Sequence, residues 1–202
     1  PGRRAALKRE ILLGALECFS QDGIDAVTIE QLRIKCNTSV GNIYHHFGSR
    51  DGIVAALFFA ALDDQHRARD AALMKAHSLA QGVAAQVASY MEWVEAEPDL
   101  ARFQFHSRSH ITQTDDINAL NERNRARNRQ FREWIVGVPD KELVARVPAE
   151  LLPSLIVGQA ESYCRAWLNG RVKTPPTHFK EVLGRAAWAS IEVFSAQGSS
   201  DV

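Results

Sequence analysis

Between Thr28 and Phe47 the stretch TIEQLRIKCNTSVGNIYHHF restricts the chain to one local arrangement: two short helices joined by a tight turn. Thr28 is placed to cap the first helix, and Gln31 three residues on supplies the return half of a capping box. Ile29 and Leu32 then repeat at helical spacing and give this helix a buried side. At Asn37 the pattern breaks, and Asn tolerates the left-handed backbone that a sharp turn between helices demands. Ser39 is a good cap for the second helix.

Placed on a wheel at about 100° per residue, Ile43 and Phe47 of the second helix share a side, with Val40 beside them. The opposite side carries Gly41, Asn42 and His45, and Tyr44 lies at the edge. Water-facing helix surfaces are normally rich in charged residues; here a Gly, an amide, an imidazole and a phenol take that place. Gly lets another surface approach the backbone closely. Asn can pair with adenine through two hydrogen bonds, and His or Tyr can reach phosphates or base edges. This composition predicts the recognition helix of a helix-turn-helix. Two ordinary packed helices would need the same caps, so the local signals leave that alternative standing.

The chain has 202 residues, enough for one domain or two small ones with a real core. Its formal charge is zero, from 24 bases and 24 acids, so no global excess advertises nucleic acid. Residues 1–50 hold seven bases (Arg3, Arg4, Lys8, Arg9, Arg33, Lys35, Arg50) against five acids (Glu10, Glu17, Asp22, Asp25, Glu30), a modest basic bias at one end. No apolar run approaches the roughly 18 residues of a membrane span, so no membrane is expected as partner. The start at Pro1 rather than Met suggests a trimmed N-terminus. Cys18, Cys36 and Cys164 are odd in number, scattered and on apolar patterns, which predicts buried free thiols in a reducing cytoplasm.

Residues 1–9, PGRRAALKR, read as a basic arm running into a helix; Arg3 and Arg4 could lie along phosphates or enter a minor groove. A stripe of Leu7, Ile11, Leu12, Ala15, Leu16 and Phe19 predicts a helix to about Asp22, stopped by Gly23. A run from Ile11 to Leu57, ILLGALECFSQDGIDAVTIEQLRIKCNTSVGNIYHHFGSRDGIVAAL, closely resembles the DNA-binding domain of the tetracycline-repressor (TetR) family. The family pattern is matched by Phe19, Gly23, Thr28, Ser39, Tyr44, His46, Phe47, Ser49 and Arg50. Cys36-Asn37-Thr38 stands where the family usually has Ala-Gly-Val, and the Thr38 hydroxyl at an inward position requires a local partner. Arg33 replaces a usual Ala, Val40 a common Lys near the DNA, and Arg50 a Lys.

Beyond the motif, apolar periodicity predicts a long helix from Ser49 to about His77, another over 79–97, a short one over 99–110, and one from Thr114 or Asp115 to about Val136. One helical turn is expected near 141–147. A helix to Asn169 stopped by Gly170, with Pro153 tolerable only in its first turn or at a kink, and a last helix over about 177–196 complete the chain. The expectation is an all-α fold of about nine helices: a three-helix helix-turn-helix domain over 1–48 and a larger helical domain over 49–202. His106 and His110 have the i, i+4 spacing of a metal pair, but no Glu within the pair and no adjoining third ligand support one, so neither metal nor cofactor is expected. Arg123, Arg125, Arg127, Arg129 and Arg132 point in several directions around their helix and read as a solvated or ion-paired face rather than a second nucleic-acid patch.

The resemblance implies a homodimeric bacterial transcriptional regulator, most simply a cytoplasmic repressor, that binds a palindromic double-stranded DNA operator and is released by a small-molecule effector. It implies DNA contacts from Thr28, Ser39, Val40, Gly41, Asn42, Tyr44, His45 and His46, with Arg50 on phosphate; Asn42 and His45 are the expected base readers, and Tyr44 and Arg50 the expected backbone contacts. Aromatic and polar groups of the inner helices, Trp93, Phe103, His106, Phe131, Trp134 and Tyr163, are the candidate effector pocket. The last two helices, apolar on more than one side, are expected to pair with their copies through Leu155, Ile156, Tyr163, Trp167, Val182, Leu183, Ala186, Ser190, Ile191 and Phe194. Two other classes compete. No nucleophile elbow, phosphate loop or paired carboxylates support an enzyme, whereas Val40 and the neutral net charge support a helical interaction protein that no longer binds DNA.

Overall fold

The computed structural model describes residues 2–114, 116–139 and 141–196; Pro1, Asp115, Asp140 and residues 197–202, together with the side chains of Arg3, Ser195 and Ala196, lie outside the described set. The described residues form ten α-helices and no strand: α1 Arg3–Asp22, α2 Ile29–Lys35, α3 Val40–Phe47, α4 Arg50–Leu73, α5 Leu79–Ala96, α6 Pro98–Thr112, α7 Asp116–Val136, α8 Lys141–Ala145, α9 Leu152–Leu168 and α10 Lys180–Ala196, with a 3₁₀ turn at Pro176–Phe179 before the last. The all-α expectation holds; the tenth helix is α8, the single turn anticipated near 141–147.

The packing divides into two compact units. The first is the chain up to Asp63 together with Asp99–Glu122; the second is Asp64–Pro98 together with the chain from Arg123 onward. The first is therefore larger than the 1–48 motif, because α1–α3 do not close a core by themselves. Ile11, Ala15 and Phe19 of α1, Leu32 of α2 and Ile43 of α3 share one buried cluster with Ile53, Leu57 and Phe58 of α4 and with Phe103, Ile111 and Leu120. Phe19 stacks on Phe103 at 5.5 Å between ring centroids, a contact contributing about 0.5–1.5 kcal/mol beyond its buried area.

In the second unit, α5 is the central element, with Leu79, Val83, Val87, Met91 and Val94 buried along it. Ser78 caps it by accepting from Gln81 N at 3.2 Å. Gly184 brings α10 against α5 so closely that a Cβ there would stand 3.3 Å from Ala84. Pro153 falls in the first turn of α9, where its missing N–H costs nothing. Gly170 ends that helix at φ 71°, with Arg171 N donating to Ala166 O at 2.9 Å, the stop that Asn169-Gly170 predicted.

Candidate nucleic-acid interface

The turn region is built as its residue types require. Thr28 Oγ1 accepts from Gln31 N at 3.2 Å and Thr28 N donates to Gln31 Oε1 at 2.7 Å, closing the capping box. Asn37 takes φ 45°, the one non-glycine among the described residues with positive φ. Ser39 Oγ accepts from Asn42 N at 3.1 Å and starts α3. Gly48, at φ 74°, ends it by donating to Tyr44 O at 2.9 Å. The Thr38 hydroxyl has the local partner it required: it accepts from Asn42 Nδ2 at 3.2 Å. Cys36 Sγ sits over Gly14 of α1, where a Cβ would come within 2.5 Å of it, so this glycine lets the turn lie against α1.

Ile43 is fully buried and anchors α3, while Gly41, Asn42, Tyr44 and His45 are exposed and Val40 is at the margin. His46 is half-buried with its ring 5.4 Å from that of His45; partial burial first, then Arg4, His45 and Lys8, hold its pKa below the ordinary imidazole range. Lys8 lies over the Phe47 ring at 5.7 Å. The basic end of α1 and the end of α3 are thus neighbours. The arm itself is shorter than anticipated: residues from Arg3 on are already helical, so Arg4 and Lys8 are one turn apart on α1 rather than in an extended arm. The side chain of Arg3 lies outside the described residues.

Arg50 requires a correction. Its Nε donates to Val27 O at 2.8 Å, its guanidinium also donates to Ile24 O, and Nη1 meets Asp51 Oδ1 at 3.1 Å. Those carbonyls belong to the connection between α1 and α2, so Arg50 ties the start of α4 to that connection instead of extending toward phosphate. Gly52, which composition did not flag, is the other residue that positions α3. A Cβ on it would stand 1.9 Å from the carbonyl oxygen of Phe47, so only glycine lets the end of α3 come this close to α4.

Of the six residues expected to line one pocket, Phe103 and His106 belong to the first unit and Trp93, Phe131, Trp134 and Tyr163 to the second. Phe103 is core of the first unit, against Phe19, and His106 on the same helix is exposed. The i, i+4 spacing of His106 and His110 arises on a helix whose buried side is Phe103 and Ser107, and His110 instead approaches Asp25 at 3.7 Å. Trp93 is buried and donates from Nε1 to Asp64 Oδ2 at 3.0 Å. Phe131 and Trp134 stack at 5.8 Å. Tyr163 donates to Thr174 O at 2.9 Å and packs edge-on against Phe179 at 5.1 Å, bracing the link between α9 and α10. Of the expected interface residues, Ile156 and Ile191 are buried within the chain itself, because a helix apolar on several sides serves its own core first. Val182 is exposed, and Leu155, Trp167, Leu183, Ala186, Ser190 and Phe194 are half-buried.

A capped, tightly turned helix pair that presents an uncharged polar face from a folded core, followed by a second helical unit, has the geometry of a helix-turn-helix joined to a larger helical part. Residues 11–57, the helix-turn-helix and the first turns of α4, match the family described as "Bacterial regulatory proteins, tetR family". It is 44% identical over 64 residues to the HTH-type transcriptional repressor Rv1474c of Mycobacterium tuberculosis, covering 31% of this chain and 32% of that one. It is 31% identical over 85 residues to the HTH-type transcriptional regulator BetI of Escherichia coli, covering 42% of each. The chain thus spans about a third to two fifths of the length of these curated relatives. Over nearly the whole chain the fold is that of solved TetR-family structures. The regulator from Marinobacter aquaeolei superposes with a TM-score of 0.72 at 16% identity, over 93% of this chain and 96% of that one. The FadR regulator of Bacillus subtilis, solved with stearoyl-CoA, superposes at 0.67 and 12%, over 90% and 98%. The relatives reported are named as regulators of transcription, not as enzymes. Among the described residues no helix is long and apolar enough to cross a membrane.

Proposed function

We propose that this chain is a one-component cytoplasmic repressor that reads a palindromic operator as a homodimer and leaves it when a small molecule binds the second unit. The observation that carries this reading is α3. It is anchored by the fully buried Ile43 and exposes Gly41, Asn42, Tyr44 and His45 together. In functional terms residues 1–48 do the reading, and 49–202 hold the effector site and the dimer contact. Asn42 and His45 read base edges, and Tyr44 and Val40 pack on the backbone beside them. Arg4 and Lys8, next to His46, supply the positive field that the weakly charged face of α3 lacks. Arg50 contributes by holding the motif in place.

A single helix-turn-helix buries little surface on DNA, whereas a two-fold pair places recognition helices about 34–36 Å apart and demands two half-sites. The exposed face of α10, with Val182 47% and Val193 56% accessible, suits the self-complementary contact that such a pair requires. Sedimentation at micromolar concentration should give a homodimer, and Val182→Glu should shift it toward monomer. A wild-type monomer would remove the two-half-site reading.

Operator fragments selected from genomic DNA should contain a palindrome. On that sequence Asn42→Ala should weaken binding by about 1–3 kcal/mol and relax the preference at one position per half-site. An equal loss on random DNA would remove Asn42 as a base reader. The absence of any enriched sequence would favour the interaction-protein alternative.

A further inference from the structure

Two polar atoms inside the second unit are buried without a protein partner: His66 Nε2 on α4 and Gln86 Nε2 on α5. Gln86 as a whole is only 9% accessible. Native proteins satisfy nearly all such groups, so each one marks a place where something else bonds. Two contacts and one electrostatic neighbourhood define the surroundings of these atoms. Asp64 Oδ2 accepts from Trp93 Nε1 at 3.0 Å, setting α4 against α5. Trp134 lies over Gly82 so closely that a Cβ there would stand 2.1 Å from its ring, setting α7 against α5. Arg123 and Arg127 of α7 are near enough to His66 of α4 to lower its pKa.

Helix geometry places the side chains between these contacts. On α5, Gly82, Gln86, Ser89 and Trp93 fall within about 60° of one another at 100° per residue. Gln86 therefore points between the Trp134 contact and the Asp64 contact. On α4, Asp64 and His66 lie on opposite flanks, facing α5 and α7, and Arg69 falls on the buried arc between them, 5% accessible. On α7, Arg123, Arg127, Phe131 and Trp134 share one stripe at i, i+4, i+8 and i+11. The facing sides of α4, α5 and α7 thus carry guanidinium groups toward one end and flat aromatic rings toward the other. Arg69 bonds Asp70 Oδ1 at 2.9 Å through Nε, and the Asp70 side chain is 40% accessible, so that carboxylate sits toward the rim.

The charges around His66 are guanidinium groups. Burial first, then Arg69, Arg127 and Arg123, push its pKa down to about 3, so the imidazole is neutral. Burial opposes a charge of either sign, whereas the three guanidinium groups oppose only a cation and stabilise an anion.

We propose that the interior between α4, α5 and α7 binds an amphipathic small molecule with a carboxylate-like end, the charged end accepting hydrogen bonds from Gln86 Nε2 and His66 Nε2 and the apolar body lying along Phe131 and Trp134. This names the chemical class of the effector and rests on reading the second unit as the effector domain. The neutral imidazole takes the tautomer that donates from Nε2, and the guanidinium groups stabilise the guest's charge without leaving their own partners.

Calorimetry on the full, DNA-free protein with decanoate and phenylbutyrate, each against its primary amide, tests the class. The carboxylates should bind at least about tenfold more tightly than the amides, since a hydrogen bond to a charged group outweighs one to a neutral group. Gln86→Leu should weaken the carboxylates by about tenfold or more. The near-isosteric Gln86→Glu should repel them while leaving the amides within about twofold; a folded Gln86→Glu protein that binds both classes as the wild type does would overturn the proposal. So would amides that bind as well as carboxylates, or no binding by either, in which case the two atoms hold water. Operator release is measured separately. Carboxylates that bind without releasing DNA would support the class and sink the regulatory reading, whereas release by neutral compounds alone would do the reverse.

Discussion

Gly52→Ala is expected to destabilise the first unit by about 1–3 kcal/mol, the usual range for forcing extra atoms into a packed site, and to remove most specific DNA binding. The added Cβ would stand 1.9 Å from Phe47 O and 3.0 Å from Phe47 C. Both atoms are backbone, so no side-chain rotation relieves the overlap. The last turn of α3 must move away from α4 by more than an ångström, or the first turn of α4 must open and lose the cap that Ser49 Oγ provides by accepting from Gly52 N at 2.9 Å. Either shift carries Tyr44, His45 and Asn42 with it, and base readout depends on donor–acceptor distances held within a few tenths of an ångström. Gly41→Ala is the contrasting case. A Cβ there meets only Ser39 Oγ, at 3.8 Å, so the fold tolerates it, and replacing a glycine of unstrained helical conformation should stabilise by about 0.4–1 kcal/mol. Its methyl group would nevertheless stand on the face that approaches DNA. Thermal unfolding and operator titration of both proteins should therefore separate them: both lose affinity, and only the Gly52→Ala protein loses stability. A Gly52→Ala protein that melts and binds like the wild type would show that α3 and α4 are not held as closely as described.

The contrast between these glycines shows which parts of the interface were legible in the sequence. The caps at Thr28 and Ser39, the left-handed Asn37, the partner required by Thr38 and the stop at Asn169-Gly170 are all decided within about four residues of chain, and each appears as its residue type demanded. Gly52 and Arg50 answer to tertiary neighbours. Phe47 lies on the preceding helix, and the carbonyls held by Arg50 are 23 and 26 residues away. No periodicity encodes those meetings. A glycine in the first turn of an otherwise regular helix, where it weakens helix formation relative to alanine, was the available signal for Gly52. The place of Phe103 and His106 in the first unit is hidden for a different reason. The apolar stripe of α6 shows that one side is buried, but not which of two cores receives it, and the answer is Phe19 of α1. Ile156 and Ile191 likewise sit on helices whose apolar surface exceeds what one face needs, and pattern alone does not divide it between the protomer and a partner copy.

Phe58→Ala should produce the largest loss of stability in the chain, about 3–5 kcal/mol, the range for truncating a buried Phe. Phe58 is completely buried within the cluster shared by α1, α2, α3 and α6, and its ring meets Phe59 edge-on at 5.5 Å. Alanine at this point of α4 keeps the helix, because its helix propensity is the highest of all residues. The cost is therefore a cavity between elements that have no alternative contact to close it. The loss should be local to the first unit. Amide exchange should quicken through α1–α3 and around Ile111, while Val83, Val87 and Met91 of α5, buried in the second unit, keep their protection. Operator binding should fall with temperature well below the melting point of the wild type, since the reading helix depends on this core. Phenylbutyrate, if it binds the second unit, should still do so in the Phe58→Ala protein. Uniform acceleration of exchange across α1 and α5 alike would mean that the two units unfold as one cooperative body, and DNA reading and effector binding could then not be separated by mutation of the core.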